Sequence, residues 1–228
     1  MSLGEVMEDE WRINEQQAEA LAAVLQVPGL SDRSIDSLFA DISHVRSPDG
    51  RLCIFEWAER TGGTFHGLMH VVFYRDAKGA GHGTYMYGLG EGYADDDHAW
   101  SHGGGYDAIH ALGKLDASML YVLVGGVHGC TTCCSELLTV VQLGAQGINF
   151  NYPAFETAQY VNTELGKGPT WELTSRCGDV TRFVYDPAAR TVHFTYNAND
   201  LTPVWTDSSL GEEVSGKARF DGRAFVFD

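Results

Sequence analysis

The chain has 228 residues, with 31 Asp and Glu against 15 Lys and Arg and a formal net charge of −16. That balance argues against nucleic acid, whose phosphates are held by Lys and Arg that displace counterions, and against adsorption to anionic lipid. Hydrophobic residues at 44% with 11% aromatics exclude a disordered acidic tail, because such a tail lacks the apolar surface that offsets the entropy of ordering.

The amino terminus carries Glu5, Glu8, Asp9 and Glu10 where a signal peptide needs a basic region and an apolar stretch. Met1-Ser-Leu3 reads as a cloning remnant, so the missing leader does not assign the chain to the cytoplasm. The longest apolar run, Met119 to Val127, is about half of what a membrane-spanning helix requires. No membrane insertion is expected.

Trp11, Ala18, Leu21, Ala22 and Leu25 recur at three- and four-residue spacing and predict a helix over 8–27, ended by Pro28-Gly29. A second, short helix is expected over 34–40, with Ser31 or Asp32 near its start and Ile35, Leu38 and Phe39 as its apolar face. From Arg51 the pattern changes to short β-type runs separated by Gly, Asn, Asp and Pro. Leu52–Trp57 follows a Ser47-Pro-Asp-Gly50 turn, and Phe65–Tyr74 alternates, with Phe65, Gly67, Met69, Val71 and Phe73 as the buried face.

Ten further strands are expected, at 83–87, 106–112, 119–125, 136–143, 147–151, 170–175, 180–185, 191–196, 217–220 and 224–227. Twelve short strands without intervening amphipathic helices imply antiparallel pairing rather than strand-helix-strand units. The expected fold is mainly β, with a helical segment over 1–45 leading into an antiparallel domain over 46–228 built of stacked sheets or a sandwich. A small β-propeller is the alternative, since Ser47–Trp57 and Asp186–Tyr196 each pair a Pro/Asp turn with an aromatic-ended strand.

Charge and glycine concentrate in the middle of the chain. Residues 79–113 hold ten of the 27 glycines, four histidines and five acids, with no Lys or Arg. Such a stretch favours a cation or a cationic ligand. His98 and His102, four residues apart on one helical turn, would share a face. With Asp97 or Glu91 they offer nitrogen and oxygen donors for a divalent transition metal, against the alternative of a solvated Gly-rich loop. His66 and His70, by contrast, are roughly 13 Å apart on a strand and cannot share an ion. They read as polar side chains on the less buried face. Tyr93, Trp100 and Tyr106 are candidates for a ligand-binding face, alongside Tyr85 and Tyr87.

Five cysteines stand at 53, 130, 133, 134 and 177. Cys53 lies in an apolar run and reads as a small core residue. The group Cys130, Cys133 and Cys134 admits a local disulfide, a metal site or a buried turn, and Cys130 beside a histidine base is a conceivable nucleophile. The chain lacks a Gly-x-Ser-x-Gly elbow and a phosphate-cradling loop with Lys, and its Gly-rich stretches miss the dinucleotide spacing.

Ser47–Trp57, then Thr61-Gly-Gly-Thr-Phe-His66, then Tyr121-Val-Leu-Val-Gly125 and Gly216–Phe225, resemble in order a signature of uncharacterised bacterial proteins, many of them extracytoplasmic. The cysteines at 130, 133 and 134 depart from that pattern, whose corresponding loop is rich in small polar residues. The resemblance implies a mainly β, periplasmic or extracellular protein and carries no activity. The expected function is therefore a binding domain for a small molecule, glycan or protein, without a cofactor. A metal-dependent hydrolase using the 79–113 segment is the alternative.

Overall fold

The computed structural model describes residues 16–58, 68–86, 105–130, 133–155, 170–176, 182–197 and 213–227. The chain divides into two compact units, Met1–Gly105 and Tyr106–Asp228.

In the first unit a helix, α1, occupies residues 16–25 and a second, α2, spans Asp32–Leu38. Ala18, Ala22 and Leu25, at four- and three-residue spacing, are the buried stripe of α1. Ser31 caps α2, its Oγ accepting the Ser34 N–H at 3.1 Å, and Asp32 lies in the first turn where the helix dipole favours an acid. The apolar face of α2 is narrower than expected. Ile35 and Phe39 are buried, but Leu38 is 59% exposed.

The helices cover one face of an antiparallel sheet ordered β1-β2-β3-β4, formed by Ser43–Arg46, Leu52–Ala58, Leu68–Arg75 and Gly81–Met86. Cys53, Phe55, Met69, Val71 and Phe73 point at α1 and α2 and join their core. Gly83 is required where α1 crosses β4, because a Cβ there would collide with the Ala22 backbone and with Leu25 Cβ. The same crossing is tied by Gln26 Nε2, which donates to Gly83 O at 3.0 Å. Arg75 Nη2 donates to Leu30 O at 3.2 Å and to Asp32 Oδ1 at 2.7 Å, and Arg46 pairs with Asp32 and Asp36, so α2 is pinned to β3 and β1.

Two expectations for this sheet need correction. Strand β1 precedes the Ser47–Gly50 turn and was not expected, because Val45 is the one strongly apolar residue in its four. The second face of β3 is buried rather than open: His70 and Val72 are both 0% exposed, as are Leu52 and Ile54 beside them.

The second unit holds two antiparallel sheets around one core. The larger runs β5-β6-β7-β8, from Gly105–Leu115, Ser118–Cys130, Cys133–Gly144 and Gly147–Asn149, and β9 (Thr170–Arg176) shares the outer edge of β7 with β8. Along β5 the buried positions Tyr106, Ile109 and Leu112 are three apart, which breaks strict alternation, and Gly113 at φ +129° marks one of the irregularities. The smaller sheet is a meander of β10 (Arg182–Asp186), β11 (Thr191–Asn197), β12 (Glu213–Phe220) and β13 (Phe225–Phe227).

Between them Trp171 is fully buried, with ring centroids of Phe183, Phe194 and Phe227 at 4.6, 4.9 and 4.7 Å. The mainly β antiparallel architecture read from the sequence is thus the one observed, and in this unit two sheets stack on a shared core. No helix among the described residues is long and apolar enough to cross a membrane.

Turns spend acids. Asp76 Oδ1 accepts the Lys78 and Ala80 N–H groups, Asp186 Oδ1 those of Ala188 and Ala189, and Asp221 Oδ1 those of Arg223 and Ala224. Each is a carboxylate replacing a missing backbone acceptor.

Candidate functional site

The three sheets differ in how much face they leave to solvent. In the central strands β2, β3, β6 and β7 consecutive residues are buried, so both faces are covered. The sheet β10–β13 alternates instead: Phe183, Val192, Phe194, Ala218, Phe220 and Phe225 are buried, while Arg182, Val184, His193, Ser215, Lys217, Arg219 and Val226 are exposed. Period-two alternation of this kind is what a sheet with one solvated face requires.

Register assembles that face in rows. Arg182, Thr195 and Ser215 lie side by side across β10, β11 and β12, as do Val184, His193 and Lys217 in the next row. Arg219 follows in β12 and is the partner of Val226 in β13. The hydroxyls of Thr195 and Ser215 are hydrogen-bonded at 3.1 Å. Val184 and Val226 are each 50% exposed, unusual for strand valines and a source of contact area. Among the described residues neither Arg182 nor Arg219 makes an ion pair. Of the described residues, two acids share the face: Glu213 at the start of β12, and Asp186, which is committed to its turn.

A second polar group lies at the margin of the same unit's core. The His110 and Tyr185 rings are in contact, with centroids 5.0 Å apart, and Tyr185 Oη is buried without a hydrogen-bond partner among the described residues. Burial pushes the phenol up to about 12, against the pull of Arg190 and with a further push from Asp186. Burial also holds the His110 imidazole below its ordinary value. Glu136 is lifted by burial, pulled back by the Phe183 N–H it accepts, and lifted again by the charge of Asp107. Glu136 on β7, accepting from Phe183 on β10, ties those two strands together at the core margin.

In the first unit Glu56 and His70 are register partners, with Oε2 and Nε2 3.8 Å apart, and Ser43 Oγ donates to Glu56 Oε1 at 3.4 Å. His70 is fully buried, so the expected polar, less buried position is replaced by a buried imidazole facing a carboxylate.

Of the residues singled out in the sequence, Glu91, Tyr93, Asp97, His98, Trp100 and His102 lie outside the described residues, as do His66, Tyr87 and Cys177. Tyr106 is 2% exposed and belongs to the core, and Tyr85 packs against the core of the first unit. Cys53 is free and buried. Cys134 is disulfide-bonded. Cys130 and Cys133 are register partners at the end of the β6–β7 hairpin. No group of three or more His, Cys, Asp or Glu suited to a metal occurs among the described residues.

Lys217 and Arg219 were legible as alternate positions of one strand. Arg182 and His193 join them only through the register of three strands, for which sequence carries no signal. The chain matches no protein-family model, no curated protein and no solved structure.

Proposed function

We propose that the chain is a binding domain with no chemistry of its own, and that the outer face of β10–β13 is its binding surface. One observation carries this reading: among the described sheets, this one alone combines an open face with half-exposed valines and unpaired guanidinium groups. The disulfide at Cys134 supports maturation in an oxidising compartment, in keeping with the extracytoplasmic location that the sequence resemblance implies.

The test displays the full chain to arrays of peptides and glycans and repeats the display with a Val184→Asp, Val226→Asp variant. Ligands kept by the parent chain and lost by the variant are the expected result. Ligands bound equally by both would move the surface elsewhere. Turnover of chromogenic ester, phosphate, glycoside or peptide substrates with added zinc or manganese, abolished by His98→Ala or His102→Ala, would replace the binding reading with the hydrolase.

A further inference from the structure

We propose that Cys130 and Cys133 form a reversible disulfide that exchanges with external thiols and disulfides, and that the bond at Cys134 is a separate, structural bridge to Cys177. The exchange is a covalent modification of the chain rather than turnover of a substrate, and it does not depend on the binding surface above.

Register separates the two pairs. Cys134 is disulfide-bonded and Cys53 is free, which leaves Cys130, Cys133 and Cys177 of the five cysteines as partners for Cys134. Cys133 and Cys134 are consecutive residues of β7. Consecutive strand residues take opposite faces of a sheet, and their Cα atoms, about 3.8 Å apart, are closer than the about 4.4 Å that a bridge needs. Cys130 is the register partner of Cys133, while Cys134 is paired with His128, and one extra residue of β6 falls between the two pairs. Register partners share a face, so Cys130 takes the face of Cys133 and not that of Cys134. Cys177 remains. It directly follows Arg176 in the sequence, and β9 pairs Ser175 with Cys134 and Arg176 with Cys133.

The hairpin position also makes a bond between Cys130 and Cys133 labile. Paired strand residues have Cα atoms about 4.5–5.5 Å apart, inside the about 4.4–6.8 Å range of disulfides. Their Cβ atoms, about 4.5–5.5 Å apart, lie at or beyond the upper end of the about 3.5–4.5 Å that an unstrained bridge takes. Closing the bond therefore pulls against the ladder, and strain of this kind makes a disulfide easier to reduce. Loop length acts in the same direction. Only Thr131 and Thr132 separate the two cysteines, whereas a bridge from Cys134 to Cys177 closes a far longer loop. A disulfide constrains the unfolded chain less the shorter its loop, so the fold protects the Cys134 bridge and does little to hold the Cys130 bond closed.

Oxidation takes two exchanges. The thiolate of one cysteine attacks a sulfur of a small external disulfide, forming a mixed disulfide and releasing one thiolate, and the thiolate of the other cysteine then displaces the second. The pair gives two electrons to the external disulfide, and the two protons of its thiols go to the departing thiolates. An external dithiol runs both steps backwards.

The experiment equilibrates the full chain under native conditions in glutathione and dithiothreitol buffers of graded potential, then alkylates it in denaturant and maps the labels by mass spectrometry. In the unreduced chain Cys177 is expected to escape alkylation, and to escape it equally in Cys130→Ser, where Cys133 becomes alkylated. The Cys130 and Cys133 pair is expected to reduce with an equilibrium constant at least roughly tenfold larger than that of the Cys134 bond. Thermal melts of parent and variant check that both are folded. Alkylation of Cys177 in the unreduced chain, thiols at Cys130 and Cys133 that never oxidise, or reduction of both bonds at one potential overturns the inference. Stoichiometric zinc on the purified chain, lost in Cys130→Ser, replaces the exchange site with a metal site.

Discussion

Single side chains set the pH response of this protein, and they do so with two opposite signs. Asp32 is held below the ordinary carboxylate range mainly by its hydrogen bond from Arg75, Asp76 mainly by the Ala80 N–H, and Asp221 mainly by the Ala224 N–H. A depressed acid stabilises the fold above the unfolded value of about 4 and loses that contribution as pH falls through the folded value. Urea midpoints should therefore decline below about pH 4. Asp76→Asn or Asp221→Asn, which keep an acceptor but remove the charge, should flatten the decline. Glu136 works the other way, since burial raises it and the folded state takes up its proton more readily than the unfolded one. Its contribution improves as pH falls from the folded value toward the unfolded one. Glu136→Gln should raise stability at neutral pH relative to pH 5, and comparison of the two midpoints in the variant and the parent chain checks this.

At the scale of elements, the packing of α1 on β4 and the aromatic hub of the second unit are the points where substitution tells most. Gly83→Ala places a methyl group into the Ala22 backbone, and overpacking of this kind costs about 1–3 kcal/mol. Trp171→Ala empties the center of the hub formed with Phe183, Phe194 and Phe227, for which about 3–5 kcal/mol is expected. Denaturant unfolding followed by circular dichroism measures both.

The strands themselves were legible because alternation and turn residues are local: twelve expected runs correspond to β2–β13, and the Ser31 cap announced α2. Burial was less legible. His70 looked like a polar exception on an outer face, but whether a second face is covered depends on what packs there, which the residues of one strand do not record. The candidate surface was hidden for the same reason: composition drew attention to the acidic middle of the chain, whereas the cations of β10–β13 are scattered over 38 sequence positions from Arg182 to Arg219 and meet only in register.

For the molecule as a whole, a basic face on a chain of net charge −16 implies an unusual salt response. An anionic ligand approaching from afar is repelled by the total charge, and within contact distance it is attracted by the exposed Arg182 and Arg219. The Debye length is about 30 Å at 0.01 M and about 10 Å at 0.1 M, so the first salt added removes the long-range repulsion while the contact pairs persist. Affinity should rise between these concentrations and then fall toward about 1 M, where contact pairs are screened too. A titration that falls monotonically from the lowest salt would place such a ligand on a surface whose surroundings are not net negative.

Cys53 gives the first unit a built-in clock. It is free and fully buried between β2 and its neighbours, with its thiol pushed up to about 12 by burial. A thiolate so suppressed does not react with an alkylating reagent in the folded state. Each labelling event at Cys53 therefore counts one opening of the helix-covered sheet, and its rate converts directly into the free energy of that opening when closing is faster than labelling. The Cys134 disulfide lies in the other unit and is silent to the same reagent. Peptide mapping of the label at Cys53 thus measures opening of the first unit in an unmodified chain.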